Sequence, residues 1–149
     1  METRSSNMNR EHLYRGKCIF IGKWVFGSLL TTDGACLISE KGKAKDWVDG
    51  DVSYSTNWTQ VDPSTVGQYT GLLDKNGTRI FEGDIVRLDG DIFFVAFNDA
   101  AFGLSKSGDD KRGNLYHWYK FCKPTHEPYV PEVIGNVADN PELLEVNNA

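Results

Sequence analysis

The chain has 149 residues, of which 40% are hydrophobic and 25% are charged, so it fits one ordinary domain or two small subdomains and is not a disordered chain. Its formal net charge of −5, without a dense run of Lys or Arg, disfavours a nucleic-acid partner. The apolar runs are too short to span a bilayer, so we expect no membrane partner. Because the first residues are polar and the cysteines are odd in number, at three, we expect a cytoplasmic protein with no disulfide framework.

Short apolar runs separated by turn signals fill the first half of the chain. Asp33-Gly34 is a typical hairpin turn, whereas residues 40–51 change in composition and predict a long loop. Asp62 before Pro63 predicts a single helical turn, because Asp caps a helix and Pro is tolerated at its first position. The run at residues 24–30 is almost continuously apolar, which favours either burial on both faces or a twisted barrel strand. The predicted strands are residues 14–21, 24–30, 36–39, 52–61 and 66–73.

The second half continues the pattern with stronger turn signals. Asn76-Gly77 predicts a type I′ turn, because Asn and Gly readily adopt the positive φ angles that this turn requires. Asp89-Gly90 predicts another hairpin, and Asn140 before Pro141 predicts a short capped helical turn. The predicted strands are residues 78–81, 85–88, 91–97, 102–105, 115–121 and 133–137.

Many short strands with minimal helix predict a mainly β protein with a short-stranded, antiparallel, barrel-like fold. We expect two packed β subdomains: residues 13–73, and residues 74–149 as an SH3-like subdomain that ends in a short helical turn. Residues 1–12 are expected to be a disordered lead-in. A single compact unit over residues 13–146 is the alternative organisation.

Two groups of residues carry the types that catalysis or metal binding needs. Glu82 and Asp84 flank Gly83, and paired carboxylates can act as acid and base or hold a divalent cation. Hydrogen bonds from a turn's backbone amides explain both acids as well. The other group consists of His117, Cys122 and His126. A structural zinc site needs four ligands, and this group has only three and no Cys-x-x-Cys pair.

The remaining cysteines, Cys18 and Cys36, lie in apolar segments that favour packed core thiols. No Gly-x-Ser-x-Gly nucleophile motif occurs, and the glycines around residues 67–71 match no phosphate-binding pattern. We therefore predict no catalytic residue, no metal and no cofactor.

The candidate binding residues are aromatic or lie beside glycines. Gln68 and Tyr69 sit between two glycines and would form a recognition surface if exposed; otherwise Tyr69 covers the core. Tyr116 and Trp118 alternate onto one face of a dense aromatic strand, where they could stack single-stranded bases or contact a protein. The acidic total favours the protein contact.

Between residues 13 and 145, several motifs resemble those of the YopX family and follow one another in the same order. The ending Val133-Ile134-Gly135-Asn136-Val137 and the start Tyr14-Arg15-Gly16-Lys17 belong to this resemblance. Its central runs are Asp62-Pro63-Ser64-Thr65-Val66-Gly67-Gln68-Tyr69-Thr70-Gly71-Leu72, Asp74-Lys75-Asn76-Gly77 and Ile80-Phe81-Glu82-Gly83-Asp84-Ile85-Val86. The resemblance implies a small β-rich protein of phages and prophages in a bacterial host. It implies no catalytic or ligand-binding residue.

The leading functional hypothesis is a phage-encoded, non-catalytic interaction protein that binds a protein partner and modulates a host or phage enzyme, for example in a defence system. Self-association into a homo-oligomer is a further expectation, because small barrels often bury irregular edges against copies of themselves. The first alternative is a β-barrel that binds single-stranded nucleic acid. The second is a small metal-dependent nuclease or hydrolase.

Overall fold

The computed structural model describes residues 11–40, 58–98, 100–106 and 130–145, together with the backbone of residues 46–48, 51–53 and 116–117. The chain divides into two compact units, Met1–Gly71 and Leu72–Ala149. The mainly β prediction is confirmed: the described part contains two larger antiparallel sheets, one two-stranded hairpin and one short α-helix. No helix among these residues is long and apolar enough to cross a membrane.

Five strands of the first unit, in the order β6-β3-β2-β1-β7, belong to a six-stranded sheet, and β4 and β5 form a separate hairpin. A 3-10 helix, Pro63–Thr65, precedes β7, and β7 continues past the division between the units. The strands are β1 Tyr14–Lys17, β2 Trp24–Thr32, β3 Ala35–Glu40, β4 Asp46–Val48, β5 Asp51–Ser53, β6 Trp58–Val61 and β7 Gly67–Leu73.

This sheet curls until the end of β1 reaches β6. Cys18 forms an isolated bridge with Val61, the Ile19 N–H donates to the Gln60 carbonyl at 3.2 Å, and the Asp62 N–H donates to the Lys17 carbonyl at 2.8 Å. The core on one face consists of Cys18, Val25, Ile38 and Val61. The described strands form a curled sheet and do not form a closed barrel.

The second unit is built on a sheet with the order β12-β11-β10-β9-β13. Its core packs Ile80, Val86, Leu88, Phe93, Val95 and Leu104 together. The turn at residues 74–77 joins β7 to β8, its neighbour in the first sheet. The elements are β8 Arg79–Phe81, β9 Asp84–Leu88, β10 Asp91–Asn98, β11 Ala101–Ser105, β12 Tyr116–His117, β13 Glu132–Asn136 and α1 Glu142–Glu145.

Two strand predictions in the first unit are wrong. The first strand ends at Lys17 and not at residue 21, because the chain turns at residues 19–21 and Gly22 follows with a φ of 65°. Burial of β2 on both faces is also wrong, since Val25 is buried whereas Phe26 and Leu30 are exposed. Apolar composition alone did not distinguish a buried strand from an exposed turn and an exposed face.

The turn predictions differ in outcome. At Asn76-Gly77 only Gly77 has a positive φ, so the predicted type I′ geometry is wrong there. The side chain of Asp74 accepts hydrogen bonds from the N–H groups of Asn76 and Thr78 and holds a larger loop. Asp89 and Gly90 both have positive φ angles, of 54° and 83°, as a type I′ hairpin requires.

Both helical turns are confirmed. Asp62 caps the 3-10 helix Pro63–Thr65, and α1 follows Asn140 near the C-terminus. The strand predicted at residues 52–61 is two strands, β5 and β6, separated by residues 54–57 outside the described part. Of the predicted aromatic strand at residues 115–121, only β12 is described.

Candidate functional site

Exposed apolar side chains concentrate in one short segment of the first unit. Of the eight exposed large hydrophobic residues in the described part of the chain, five lie within residues 19–30. In the turn between β1 and β2, Ile19, Phe20 and Ile21 are 47%, 79% and 67% exposed, and on β2, Phe26 and Leu30 are 44% and 42% exposed. We call these five residues the β2 surface.

The apolar turn is held by its main chain. The Cys18 N–H donates to the Lys23 carbonyl at 2.8 Å, and the Gly22 N–H donates to the Cys18 carbonyl at 2.9 Å. Gly22 takes the positive φ of 65° that closes the turn, a conformation that glycine adopts without steric cost. Because these backbone bonds close the turn, its side chains stay available for contact with another molecule.

The 3-10 helix supports the base of this turn. The Thr65 Oγ1 accepts a hydrogen bond from the Lys17 N–H at 2.9 Å. Asp62 caps the same helix by accepting from the side chain of Ser64 at 2.8 Å and from its backbone N–H at 2.9 Å. The Ser64 hydroxyl, and then its backbone N–H, hold the pKa of the exposed Asp62 carboxyl below its usual 3.8.

Positive charge lies beside the aromatic end of the β2 surface. Phe26 pairs with Arg15 and Trp24 pairs with Lys17, and residues directly opposite in an antiparallel pair share a face. The Arg15 guanidinium lies 4.7 Å from the centroid of the Trp24 ring, and the Lys17 ammonium lies 5.8 Å from it. Both are cation–π distances.

The middle and far end of this face differ from the turn end. Leu30 pairs with the half-buried Leu37, and Ser28 pairs with Ser39, so the paired positions here are neutral. At the far end of β2, the turn to β3 carries the exposed Asp33. Neutral paired positions therefore lie between the cationic residues beside Trp24, of which Arg15 is only 7% exposed, and the turn that carries Asp33.

The residues predicted as a recognition surface lie elsewhere. Tyr69 is only 8% exposed and its N–H donates to the Leu13 carbonyl, so the core-covering alternative applies to it. Gln68 beside it is half-buried. The backbone of Tyr116 pairs with Leu104, but its side chain and all of Trp118 lie outside the described residues.

The candidate catalytic pair, Glu82 and Asp84, belongs to a turn. Asp84 is 2% exposed, and its Oδ2 accepts a hydrogen bond from the Phe81 N–H at 2.7 Å. Glu82 is half-buried in the same turn. The turn interpretation of Asp84 is thus confirmed by its hydrogen bond.

Asp74 is the carboxylate that sequence reasoning missed. It is 6% exposed, and it accepts backbone hydrogen bonds from Asn76 and Thr78 at 2.8 Å each and from Val133 at 3.0 Å. The bond to Val133 joins residues 59 positions apart, so one side chain ties the β7–β8 turn to β13. No local pattern in the sequence could have shown this distant partner.

The metal and nucleophile candidates remain without a site in the part of the chain that is described. Those residues contain no group of three or more His, Cys, Asp or Glu placed to hold a metal ion. The side chain of His117, together with Cys122 and His126, lies outside them. Cys18 is a buried free thiol in the first core, and Cys36 packs against that core.

A family model supplies the identity of the chain. The model for the YopX protein matches residues 14–145, which is most of the sequence. The chain belongs to the YopX family. The predicted family resemblance is thereby confirmed.

Among solved structures, this YopX-family chain is similar to protein EF1440 from Enterococcus faecalis, with 22% identity and a TM-score of 0.62. The match covers 90% of this chain and 98% of that chain. At this identity the similarity shows the fold alone. A search of curated proteins found no match.

The β2 surface was not predicted from the sequence. Ile19, Phe20 and Ile21 were assigned to a strand because they are consecutive apolar residues. The available signal was Gly22 immediately after them, which marks a turn. In the structure the turn begins at Ile19, three residues before this glycine.

Proposed function

We propose that this YopX-family protein is a non-catalytic interaction module that binds a protein partner through the β2 surface. The observation that supports it is the concentration of five exposed large apolar side chains within residues 19–30. Exposed large apolar side chains that are concentrated in one segment mark a candidate interaction site. Phe20, which is the most exposed of the five, is the natural anchor, because burying a Phe side chain contributes about 1.5–3 kcal/mol.

The rigidity of the turn favours binding. The backbone bonds of Cys18 and Gly22 within the turn, and that of Ile19 to Gln60, fix the main chain around the apolar residues. A preformed binding element loses little conformational entropy when a partner docks, so more of the burial energy appears as affinity.

The proposed partner class is protein. It includes the host or phage enzyme that the family resemblance leads us to expect in a bacterial cytoplasm, and it includes a second copy of this chain. The SH3-like description of the second unit also remains a proposal, supported by the antiparallel succession of β9, β10 and β11.

Site-specific photocrosslinking in the bacterial host tests the proposal. A photoreactive phenylalanine analogue at position 20 is expected to form a covalent adduct with a protein. The matched control places the same analogue at Phe97, which is 49% exposed in the second unit and outside the β2 surface. Equal adducts at both positions, or none at position 20, would contradict the proposal.

Single-stranded nucleic acid is the second candidate ligand, and one observation favours it. The half-buried Lys17 and Trp24 combine a cationic and an aromatic group on one face of the sheet, whereas Arg15 beside them is only 7% exposed. This alternative predicts binding to an oligonucleotide that weakens as salt rises. If a fluorescence titration with an oligonucleotide at low salt shows no binding, this alternative is excluded. Metal-dependent turnover of nucleic acid that Glu82→Ala abolishes would instead support the hydrolase hypothesis.

A further inference from the structure

We propose that Asn76, in the turn between β7 and β8, is a site of spontaneous covalent modification whose rate is set by the hydrogen bonds of Asp74. The modification is loss of the side-chain amide nitrogen through a cyclic imide, which leaves aspartate or isoaspartate at position 76. Asn76-Gly77 is the single Asn-Gly pair in the sequence. The site lies outside the β2 surface and does not depend on the proposed function.

The reaction needs water as its only co-reactant. The peptide nitrogen of Gly77 attacks the side-chain carbonyl carbon of Asn76, and a C–N bond forms. The proton of the Gly77 N–H passes through water to the amide nitrogen, which leaves as ammonia with the electrons of the broken C–N bond. Water then opens the imide: attack at the former side-chain carbonyl yields aspartate, and attack at the main-chain carbonyl yields isoaspartate.

The two residues that react are open to solvent. Asn76 and Gly77 are both exposed. A Cβ added at Gly77 would meet no atom within 4 Å, so the space beside this residue is empty of protein. Glycine also has no side chain of its own to obstruct closure of the ring. Exposure and sequence therefore favour the reaction at this position.

The hydrogen bonds of the turn hold the attacking nitrogen away from the side chain. The Gly77 N–H donates to the Asp74 carbonyl at 3.0 Å, and the Asp74 N–H donates to the Thr78 carbonyl at 2.8 Å. With a positive φ at Gly77 alone, this is a three-residue hairpin loop in which a type I turn precedes a left-handed glycine. Ring closure requires rotation about the Cα–C bond of Asn76, and that rotation moves the Gly77 N–H off the Asp74 carbonyl.

The Asp74 carboxylate fixes the same turn from inside the protein. It is 6% exposed, and its Oδ1 accepts from the N–H groups of Asn76 and Thr78 at 2.8 Å each. Its Oδ2 accepts from the Val133 N–H at 3.0 Å, so β13 holds the carboxylate in place. The Lys75 N–H adds a bond to the Pro131 carbonyl at 3.1 Å. The modification therefore has to wait for local opening of the turn.

Asn136 provides an internal reference in the same chain. It precedes Val137, whose branched side chain obstructs approach to the peptide nitrogen. Both polar atoms of its amide are bonded: Oδ1 accepts from the Asp139 N–H at 2.8 Å, and Nδ2 donates to the Asp139 carboxylate at 3.1 Å. We expect position 136 to keep its amide under conditions that modify position 76.

Peptide mapping by mass spectrometry, after incubation of the full chain at mildly alkaline pH, tests the site. The mass gained when the amide becomes a carboxylate identifies the modification, and chromatography separates the aspartate and isoaspartate peptides. Folded wild type should react at position 76 at least about tenfold more slowly than the chain in guanidinium chloride, which corresponds to about 1.4 kcal/mol for opening the turn. Equal rates would overturn the control by the turn, and an unmodified unfolded chain would overturn the site.

Variants of the folded chain test the role of Asp74. Asp74→Ala should raise the rate at position 76 by about tenfold or more, because two N–H bonds of the turn lose their acceptor. The control is Leu104→Ala, which destabilises the second core by a cavity and leaves the turn bonds intact. Equal acceleration by both variants, or none by Asp74→Ala, would overturn local control by Asp74.

Asp74→Asn keeps the test decisive if Asp74→Ala does not fold. Asparagine retains the shape and one acceptor oxygen but not the charge, and hydrogen bonds to a neutral acceptor are weaker. The rate for Asp74→Asn should therefore lie above that of wild type and below that of the unfolded chain. A rate equal to that of wild type would overturn the role of the carboxylate.

Discussion

The turn between β1 and β2 and the turn between β7 and β8 both reverse the chain, but they use their side chains differently. In the second, the buried carboxylate of Asp74 accepts three backbone hydrogen bonds, and the exposed residues are polar. In the first, main-chain bonds alone close the turn, and three apolar side chains are exposed.

This difference separates structural from binding residues. A side chain that satisfies buried backbone groups cannot be removed without leaving them unpaired in the folded state. A side chain that no turn bond requires can be changed at little cost to folding, so an exposed apolar one needs another explanation. We therefore assign stability to the Asp74 turn and binding to the apolar turn.

The largest expected effect is on the structural turn. Asp74→Ala removes the acceptor of three backbone N–H groups and is expected to lower the free energy of unfolding by about 3 kcal/mol. Urea denaturation measures it. The control is Asp91→Ala in the same unit, where the carboxylate is 61% exposed and 3.6 Å from the Lys106 ammonium; it should change stability by less than about 0.5 kcal/mol. Equal losses would refute the structural role of Asp74.

Glycine substitutions should affect the two turns alike. Gly22 and Gly77 have φ angles of +65° and +81°, and an added Cβ at either would meet no atom within 4 Å. The cost of Gly22→Ala and of Gly77→Ala is therefore conformational, and we expect about 1 kcal/mol for each. Unfolding curves of the two variants check the equality. A much larger loss of stability at one position would mean that the two turns differ in the backbone strain that the substitution causes.

The apolar turn should tolerate side-chain change. Phe20→Ser is expected to alter the free energy of unfolding by no more than about 0.5 kcal/mol, because the side chain is 79% exposed. Parallel thermal melts of wild type and variant measure this. A loss as large as that of Asp74→Ala would show that Phe20 is a folding residue and would remove the basis for the binding assignment.

The smallest expected effect concerns the support of the apolar turn. The pKa of Asp62 is lowered in the folded state by the hydroxyl of Ser64 and then by its N–H. The ionised carboxylate therefore contributes stability above the unfolded pKa of about 3.9, and this contribution is lost as pH falls through the folded pKa. A carboxyl NMR titration should show the depressed pKa. Ser64→Ala should raise it toward the usual 3.8. An unchanged pKa in this variant would contradict the assigned cause.

Local chemistry made several elements predictable. The 3-10 helix after Asp62 and the type I′ hairpin at Asp89-Gly90 depend on residues a few positions apart, and both were found where the sequence indicated. The interpretation of Asp84 as a turn residue also held, because its partner Phe81 is three positions away. None of these required knowledge of a distant contact.

The candidate site was less predictable. Ile19, Phe20 and Ile21 look like strand residues, and the bonds from Cys18 to Lys23 and from Ile19 to Gln60 show that the chain turns there. For Tyr69 the sequence left an exposed position and a position over the core both open; in the structure its side chain is buried and its N–H donates to the Leu13 carbonyl. Exposure is a property of what packs around a residue, and a single sequence does not state it.

The sequence by itself determined the β class, the turns at Asp33-Gly34 and Asp89-Gly90, the helical turns and the YopX family, because these depend on residue types at short spacing. The tertiary structure alone decided which apolar residues are buried and which carboxylate joins distant strands, as for Phe20 and Asp74. The physical reason is that burial and long-range hydrogen bonds arise only when strands far apart in the chain are brought together.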